Sequence, residues 1–173
     1  MRELQTERLL LRRLRREDAQ RIFSCWASDS EVTKYLTWSP HQSVETTHAI
    51  MDLWLAAYEK PNCYRYGIVL RESDELIGMI DVVQIVDGEP VIGYCSGRAY
   101  WGQGYMTEAL KALCAALFED GYPSIFIEAM EENVGSNRVI QKAGFSFVGS
   151  YVRSQSPGKP EPVRLNSYRL KRA

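Results

Sequence analysis

Apolar positions along the chain fall into two periodicities, and their alternation lays out the elements. TERLLLRRL near the N-terminus reads as a strand, and Glu17 to Trp26 places Ala19, Ile22, Phe23 and Trp26 at helical spacing. A second helix is predicted after Pro40, started by Ser43 with Glu45 and Thr46 and striped by Ile50, Met51, Trp54, Leu55 and Tyr58. Tyr64 to Leu70, Leu76 to Val86 and Val91 to Ser96 read as strands, the first two joined by the polar turn RESDE, and an antiparallel meander is their simplest arrangement. Met106, Ala109, Leu110, Leu113, Ala116 and Leu117 form the clearest amphipathic stripe, ended by Gly121 with Pro123 beyond it. A short buried strand, Ser124 to Ala129, precedes a helix from Asn133 to Ala143 that Gly144 and Phe145 close. Phe147 to Arg153 and the run from Val163 to Tyr168 then make a hairpin across the loop Ser154 to Pro162. The expected fold class is α/β: a mixed sheet with helices on both faces.

Composition changes this picture little. With 173 residues, 45% hydrophobic and 25% charged, the chain suits one domain over residues 1–173 that buries about 70% of its unfolded surface. The net charge of -1 offers no long-range attraction to nucleic acid or an anionic membrane, so neither is expected as a partner. The Arg12, Arg13, Arg15, Arg16 cluster is read as a solvated strand face. Cys25, Cys63, Cys95 and Cys114 lack zinc or dithiol spacing, and His41 and His48 are too few for a catalytic metal centre. No metal is expected. Scattered thiols and the absence of a signal peptide or a long apolar run predict a cytoplasmic protein.

Chemistry concentrates in VIGYCSGRAYWGQGYMTEALKAL, where a strand ends in a glycine loop that runs straight into the strongest helix. Gly102 and Gly104 permit close backbone approach, and the free N–H groups around Gly104 to Thr107 suit a phosphate or pyrophosphate. An isolated Gly-x-Gly suits a tight turn equally well, so context decides. A P-loop is excluded because Gln103 stands where its Lys is required. A dinucleotide fingerprint would use Glu128 on the ribose, but Thr107 occupies the third glycine position and only one βαβ unit exists. A coenzyme A pyrophosphate asks only for the loop amides.

On TERLLLRRLRREDA, YLTWSP, IGYCSGRAYWGQGYMTEALKAL and ENVGSNRVIQKAGF, taken in order, the chain resembles GNAT N-acetyltransferases of the ribosomal-protein-alanine branch over nearly its whole length. The resemblance implies a mostly antiparallel sheet whose fourth and fifth strands splay to admit the pantetheine arm of acetyl-CoA. It makes Trp101, Gly102, Gln103, Gly104, Tyr105, Met106 and Thr107 the pyrophosphate loop, with Cys95 and Ser96 on the adjoining strand. Trp101 and Met106 replace the superfamily's usual Gln or Arg and Gly or Ala, and Arg98 replaces the branch's common Pro. Asn133 becomes a contact to the pantetheine arm and Ser136 the proton donor to the coenzyme A sulfur, because Ile140 occupies the place of the tyrosine acid found in many members. Both residues also suit the cap and first turn of a helix.

Direct attack by a primary amine needs a base, a backbone donor for the developing oxyanion, and alignment more than a covalent intermediate. A bulge at Tyr94 to Gly97 is expected to free that donor, and Cys95 is read as a small strand residue with no covalent role. Asp81, Glu89, Glu128, Glu131 and Glu132 are base candidates that sequence alone does not rank. Leu36, Trp38 and Pro40 are placed over the acceptor groove or in the core. The expected activity is acetyl transfer from acetyl-CoA to a primary amine, the α-amine of a protein or peptide or else a small-molecule amine, by a monomer or homodimer. A non-catalytic acyl-CoA-binding module is the reading from outside the enzyme class, motivated by Ile140 and the unranked base.

Overall fold

A computed structural model describes residues 1–154 and 161–172. Eight strands form one sheet in the order β1 (Leu4–Gln5), β2 (Leu9–Arg12), β3 (Arg65–Leu70), β4 (Glu75–Val86), β5 (Glu89–Ser96), β6 (Ser124–Met130), β8 (Val163–Lys171), β7 (Ser146–Arg153). Every neighbouring pair is antiparallel except β5 with β6. The meander of β3, β4 and β5 and the C-terminal hairpin are as expected, and the positive φ of Asp87 and Gly88 makes the tight Asp-Gly turn between β4 and β5. The loop expected over Ser154 to Pro162 lies largely outside the described residues.

Helices cover both faces. α4 (Tyr105–Glu119) and α5 (Val134–Lys142) enclose the larger core, in which Leu110, Leu113, Leu117, Ile125 and Ile140 are buried against β2 to β6. Facing the other side are α1 (Ala19–Ile22) and α3 (Val44–Ala57), with Trp26, Met51, Val69 and Met79 between them and the sheet. Ser43 caps α3 by accepting from the Thr46 N–H at 3.4 Å.

Three local expectations fail for physical reasons. The first strand is interrupted because Thr6 N–H donates to Leu9 C=O and Leu9 N–H donates back to the Thr6 hydroxyl, closing a turn that sets β1 back against β2. The helix over Glu17 to Trp26 is regular only in α1: a wide turn follows over Phe23–Ala27, where the Ser28 N–H and hydroxyl both reach the Phe23 carbonyl. Asp29 caps a further short helix, α2 (Ser30–Thr33), by accepting from Glu31 N–H. Arg12 is not on a solvated face: it is 6% exposed and forked onto Asp18 at 2.8 and 2.9 Å. Its neighbours do face outward, Arg13 over the Tyr58 ring and Arg16 against Asp52.

Counting the Leu4–Gln5 strand, the two strands expected to splay are β5 and β6. They pair only at Val91 with Phe126 and Ile92 with Ile127, after which β6 continues on β8 while β5 runs on to Ser96 alongside β4. A gap in the sheet opens between Gly93–Ser96 and Glu128–Met130.

Candidate active site

Two clefts meet at this gap. One, of about 680 Å³, lies against the starts of α4 and α5; the other, of about 420 Å³, lies against α3 and the turn that precedes it. Tyr35, Leu36, Tyr94, Cys95, Asn133 and Ser136 line both.

In the larger cleft the loop before α4 presents its main chain. Gly102 and Gly104 have φ of 74° and 82°, which a side chain would strain, and Gly104 caps α4 with no side-chain hydrogen bond. Among the described residues, no N–H from Gly102 to Thr107 finds an acceptor within the chain; the first helical bond is Glu108 N–H to Gly104 C=O. These donors, with the positive end of the α4 dipole, make a concave anion site. Its shape is held from outside. Trp101 Nε1 donates to Ser96 C=O at 3.0 Å, and Arg8 donates to Gln103 C=O at 3.0 Å while pairing with Glu108 and stacking on the Tyr105 ring.

Of the residues expected to bind coenzyme, Cys95, Ser96, Trp101, Gly102, Gly104, Tyr105, Met106, Thr107 and Asn133 line this cleft, and so does Ser136, the expected proton donor. Gln103 does not: its side-chain amide turns back to donate to Ala99 C=O at 2.7 Å. Met106 packs partly onto the main core. The bulge also lies elsewhere. The β4–β5 register shifts between Val82 and Gln84, whereas Tyr94 to Ser96 pair regularly with β4. The amides are freed by the splay instead: Gly97 N–H bonds Ile77 C=O, and ladder alternation then turns the N–H of Tyr94 and Ser96 away from β4 and toward the gap.

Ser136 stands in the first turn of α5, where Asn133 Oδ1 accepts its N–H at 3.1 Å, so the cap and the site share one residue. Its hydroxyl lies 2.8 Å from Tyr94 Oη, which also donates to the Ser136 carbonyl at 3.3 Å. Burial pushes the Tyr94 phenol well above its ordinary range, against the Ser136 bond that lowers it, so Tyr94 remains a proton carrier. Tyr94 was missed from sequence because only the fold brings β5 to α5; its place in the IGYCSG run was the available signal. Ile140 is fully buried in the core and offers no proton. Cys95 is half-buried at the junction of the clefts, its thiol pushed far up first by desolvation and then by Asp81, which keeps it protonated.

The carboxylates separate clearly. Glu89 is bound to Ser124 and Arg169, and Glu131 is exposed beside Arg164 at 3.8 Å. Glu132 borders the larger cleft, and only Asp81, Glu128 and Glu161 line the smaller one. Glu128 accepts from Tyr151 Oη at 2.6 Å and pairs with Arg153. Leu36 and Trp38 line the smaller cleft while packing on the second core, and Pro40 does not line either cleft.

A family model described as an acetyltransferase (GNAT) domain matches residues 8–146. Among curated relatives, N-acetyltransferase p20 of Bacillus licheniformis is 31% identical over 86% of this chain and 85% of its own, and N-acetyltransferase YoaA of Bacillus subtilis 31% over 96% and 95%; both are described as uncharacterized. Solved structures share the fold at lower identity. The Salmonella typhimurium acetyltransferase that modifies the N-terminal serine of ribosomal protein L7/L12 superposes with a TM-score of 0.86 at 18% identity, covering 99% of this chain and all of that one. The Microcin C7 self-immunity acetyltransferase MccE, solved with acetyl-CoA and AMP, gives 0.86 at 15% identity over 96% and 94%.

Proposed function

The chain belongs to the GNAT acetyltransferase family, and from that premise we propose that the larger cleft holds acetyl-CoA, the smaller one the acceptor amine, and that Tyr94 and Ser136 deliver the leaving-group proton at their junction. The amides from Gly102 to Thr107 hold the pyrophosphate, and Asn133, whose amide nitrogen has no partner among the described residues, donates to the pantetheine arm. The N–H of Tyr94 or Ser96 stabilises negative charge on the thioester oxygen. Glu128, facing the acceptor, takes the ammonium proton directly or through water. As the amine nitrogen bonds to the acetyl carbon and the carbon–sulfur bond breaks, Ser136 protonates the sulfur and is resupplied by Tyr94 at 2.8 Å, and Tyr94 regains a proton from solvent in the cleft, to which Glu128 returns the proton taken from the amine.

The observation that carries this reading is the unpaired run of amides opening onto the same cavity as the Tyr94–Ser136 pair. It favours an enzyme over a coenzyme-binding module, since Tyr94 restores the acid that Ile140 removes. For the acceptor we propose the α-amine of a protein or peptide, in keeping with the Salmonella typhimurium neighbour that modifies an N-terminal serine. Calorimetry with acetyl-CoA and thiol release with peptides against small amines test it. Micromolar binding with release on peptides is expected; no binding at millimolar acetyl-CoA overturns the coenzyme site, and release on polyamines or antibiotics alone overturns the acceptor class. Ser136→Ala and Tyr94→Phe should each lower kcat about tenfold or more with acetyl-CoA affinity unchanged.

A further inference from the structure

Asp81 sits on the floor of the smaller cleft, 7% exposed, with its two oxygens in different circumstances. Oδ2 accepts both Arg65 Nε at 2.9 Å and an Arg65 terminal nitrogen at 2.7 Å, whereas Oδ1 accepts nothing from any described residue. Register fixes what lies beside it. Asp81 is the cross-strand partner of Gly93, and the Ile92–Ile127 pair puts Glu128 level with Gly93 on the far side. Asp81 and Glu128 therefore share one face of the sheet, one on each side of the place where β5 and β6 part, with a residue between them that has no side chain. A Cβ on Gly93 would stand 3.6 Å from Asp81 Oδ1 and 2.8 Å from a Val83 methyl, so any larger residue would close this space.

We propose that Asp81 Oδ1 receives the ammonium group of the acceptor and that the acceptor is a primary amine carrying no carboxylate beside the amine. This rests on the smaller cleft being the acceptor's. A buried carboxylate with an open lone pair wants a cation, and desolvation strengthens the attraction. The second half follows from the positive groups. Arg65 pairs with Asp81 and stacks over Trp54, and Arg153 pairs with Glu128, so among the described residues each guanidinium charge lining the cleft is already matched by a carboxylate and leaves no net positive charge to favour a substrate carboxylate. Burial raises the Asp81 carboxyl above its usual range while Arg65 opposes that, which leaves a carboxylate that gains from a second cation. Leu36, Trp38, Trp54 and Met79 offer apolar surface to the rest of the residue that bears the amine.

Three probes differing in one group test this: phenylalaninamide, phenylalanine, which adds a carboxylate, and 3-phenylpropionamide, which lacks the amine. Thermal shifts of the purified protein are read with and without CoA, and thiol release is read with acetyl-CoA. Only phenylalaninamide should raise Tm, and its kcat/KM should exceed that of phenylalanine at least tenfold. Asp81→Asn should abolish that rise and raise KM for phenylalaninamide tenfold or more, while keeping the shift produced by CoA alone. Asp81→Asn/Arg65→Gln, which removes both charges, should behave like the single variant. Recovery of the phenylalaninamide shift in the double variant would mean that Asp81 serves only to neutralise Arg65, and would overturn the assignment. Equal shifts in wild type and Asp81→Asn, or none in wild type, overturn it too; parity of phenylalanine with its amide overturns the carboxylate exclusion. A wild type that CoA does not stabilise refutes the coenzyme site instead, and the amide shift read without CoA still decides Asp81.

Discussion

Individual side chains show how far residue type foretells role. Cys95 lines both clefts, yet desolvation holds its thiol protonated. Cys95→Ser should therefore keep activity within about threefold in a thiol-release assay; a loss of a hundredfold would restore a covalent route. Arg12 carries the opposite lesson, because its neighbours made it look like surface and Asp18 made it core. Replacing one member of so buried a pair leaves an uncompensated charge, so Asp18→Asn should cost about 3–5 kcal/mol in denaturant unfolding. The residues sequence reading placed best, Gly104 and Asn133, act through backbone geometry and capping, which are local rules. Tyr94 and Asp81 depend on which strands end up adjacent, and no local pattern carries that.

At the scale of elements, the start of α4 is anchored by one carboxylate. Glu108 accepts from the Thr6 hydroxyl at 2.6 Å and from Arg8 N–H at 2.9 Å, and pairs with the Arg8 guanidinium, which in turn pins Gln103 C=O. Partial desolvation works to raise its pKa, but the bonds from Thr6 and Arg8 prevail and hold it below the ordinary value of 4.5. A depressed folded pKa means stability that is complete above about pH 4.5 and lost as pH falls through the lower folded value. Glu108→Gln should therefore flatten the acid arm of a Tm-against-pH profile, and an unchanged slope would refute the anchor. The strong stripe of α4 was legible because it buries one continuous face, and the meander because its apolar runs, buried on both faces, are punctuated by polar turns. The break in the first helix was not, since a wide turn at Phe23–Ala27 keeps its apolar residues inward and leaves the periodicity almost intact.

For the molecule as a whole, the meander, the C-terminal hairpin and the splay of two strands were legible, the last through the family resemblance, whereas the full strand order and the register were not. The bulge expected on β5 falls instead on β4, where Val83 is the extra residue between the Val82–Ile92 and Gln84–Val91 pairs. Freed amides at the gap come from divergence of neighbours instead, a property of the assembled sheet. Among the described residues no helix is long and apolar enough to cross a membrane.

Because the sheet is perforated rather than grooved, the two clefts open separately, and the ligands proposed for them would have separate doorways. On that proposal the spent thiol withdraws past α4 and α5 while the acetylated amide is still seated beneath α3, and the reverse departure is equally open. Neither product should have to wait for the other. Product-inhibition kinetics should thus show a random rather than a compulsory order of release, with an abortive complex of free coenzyme and unreacted amine; strictly ordered release would mean that one doorway is shut during turnover.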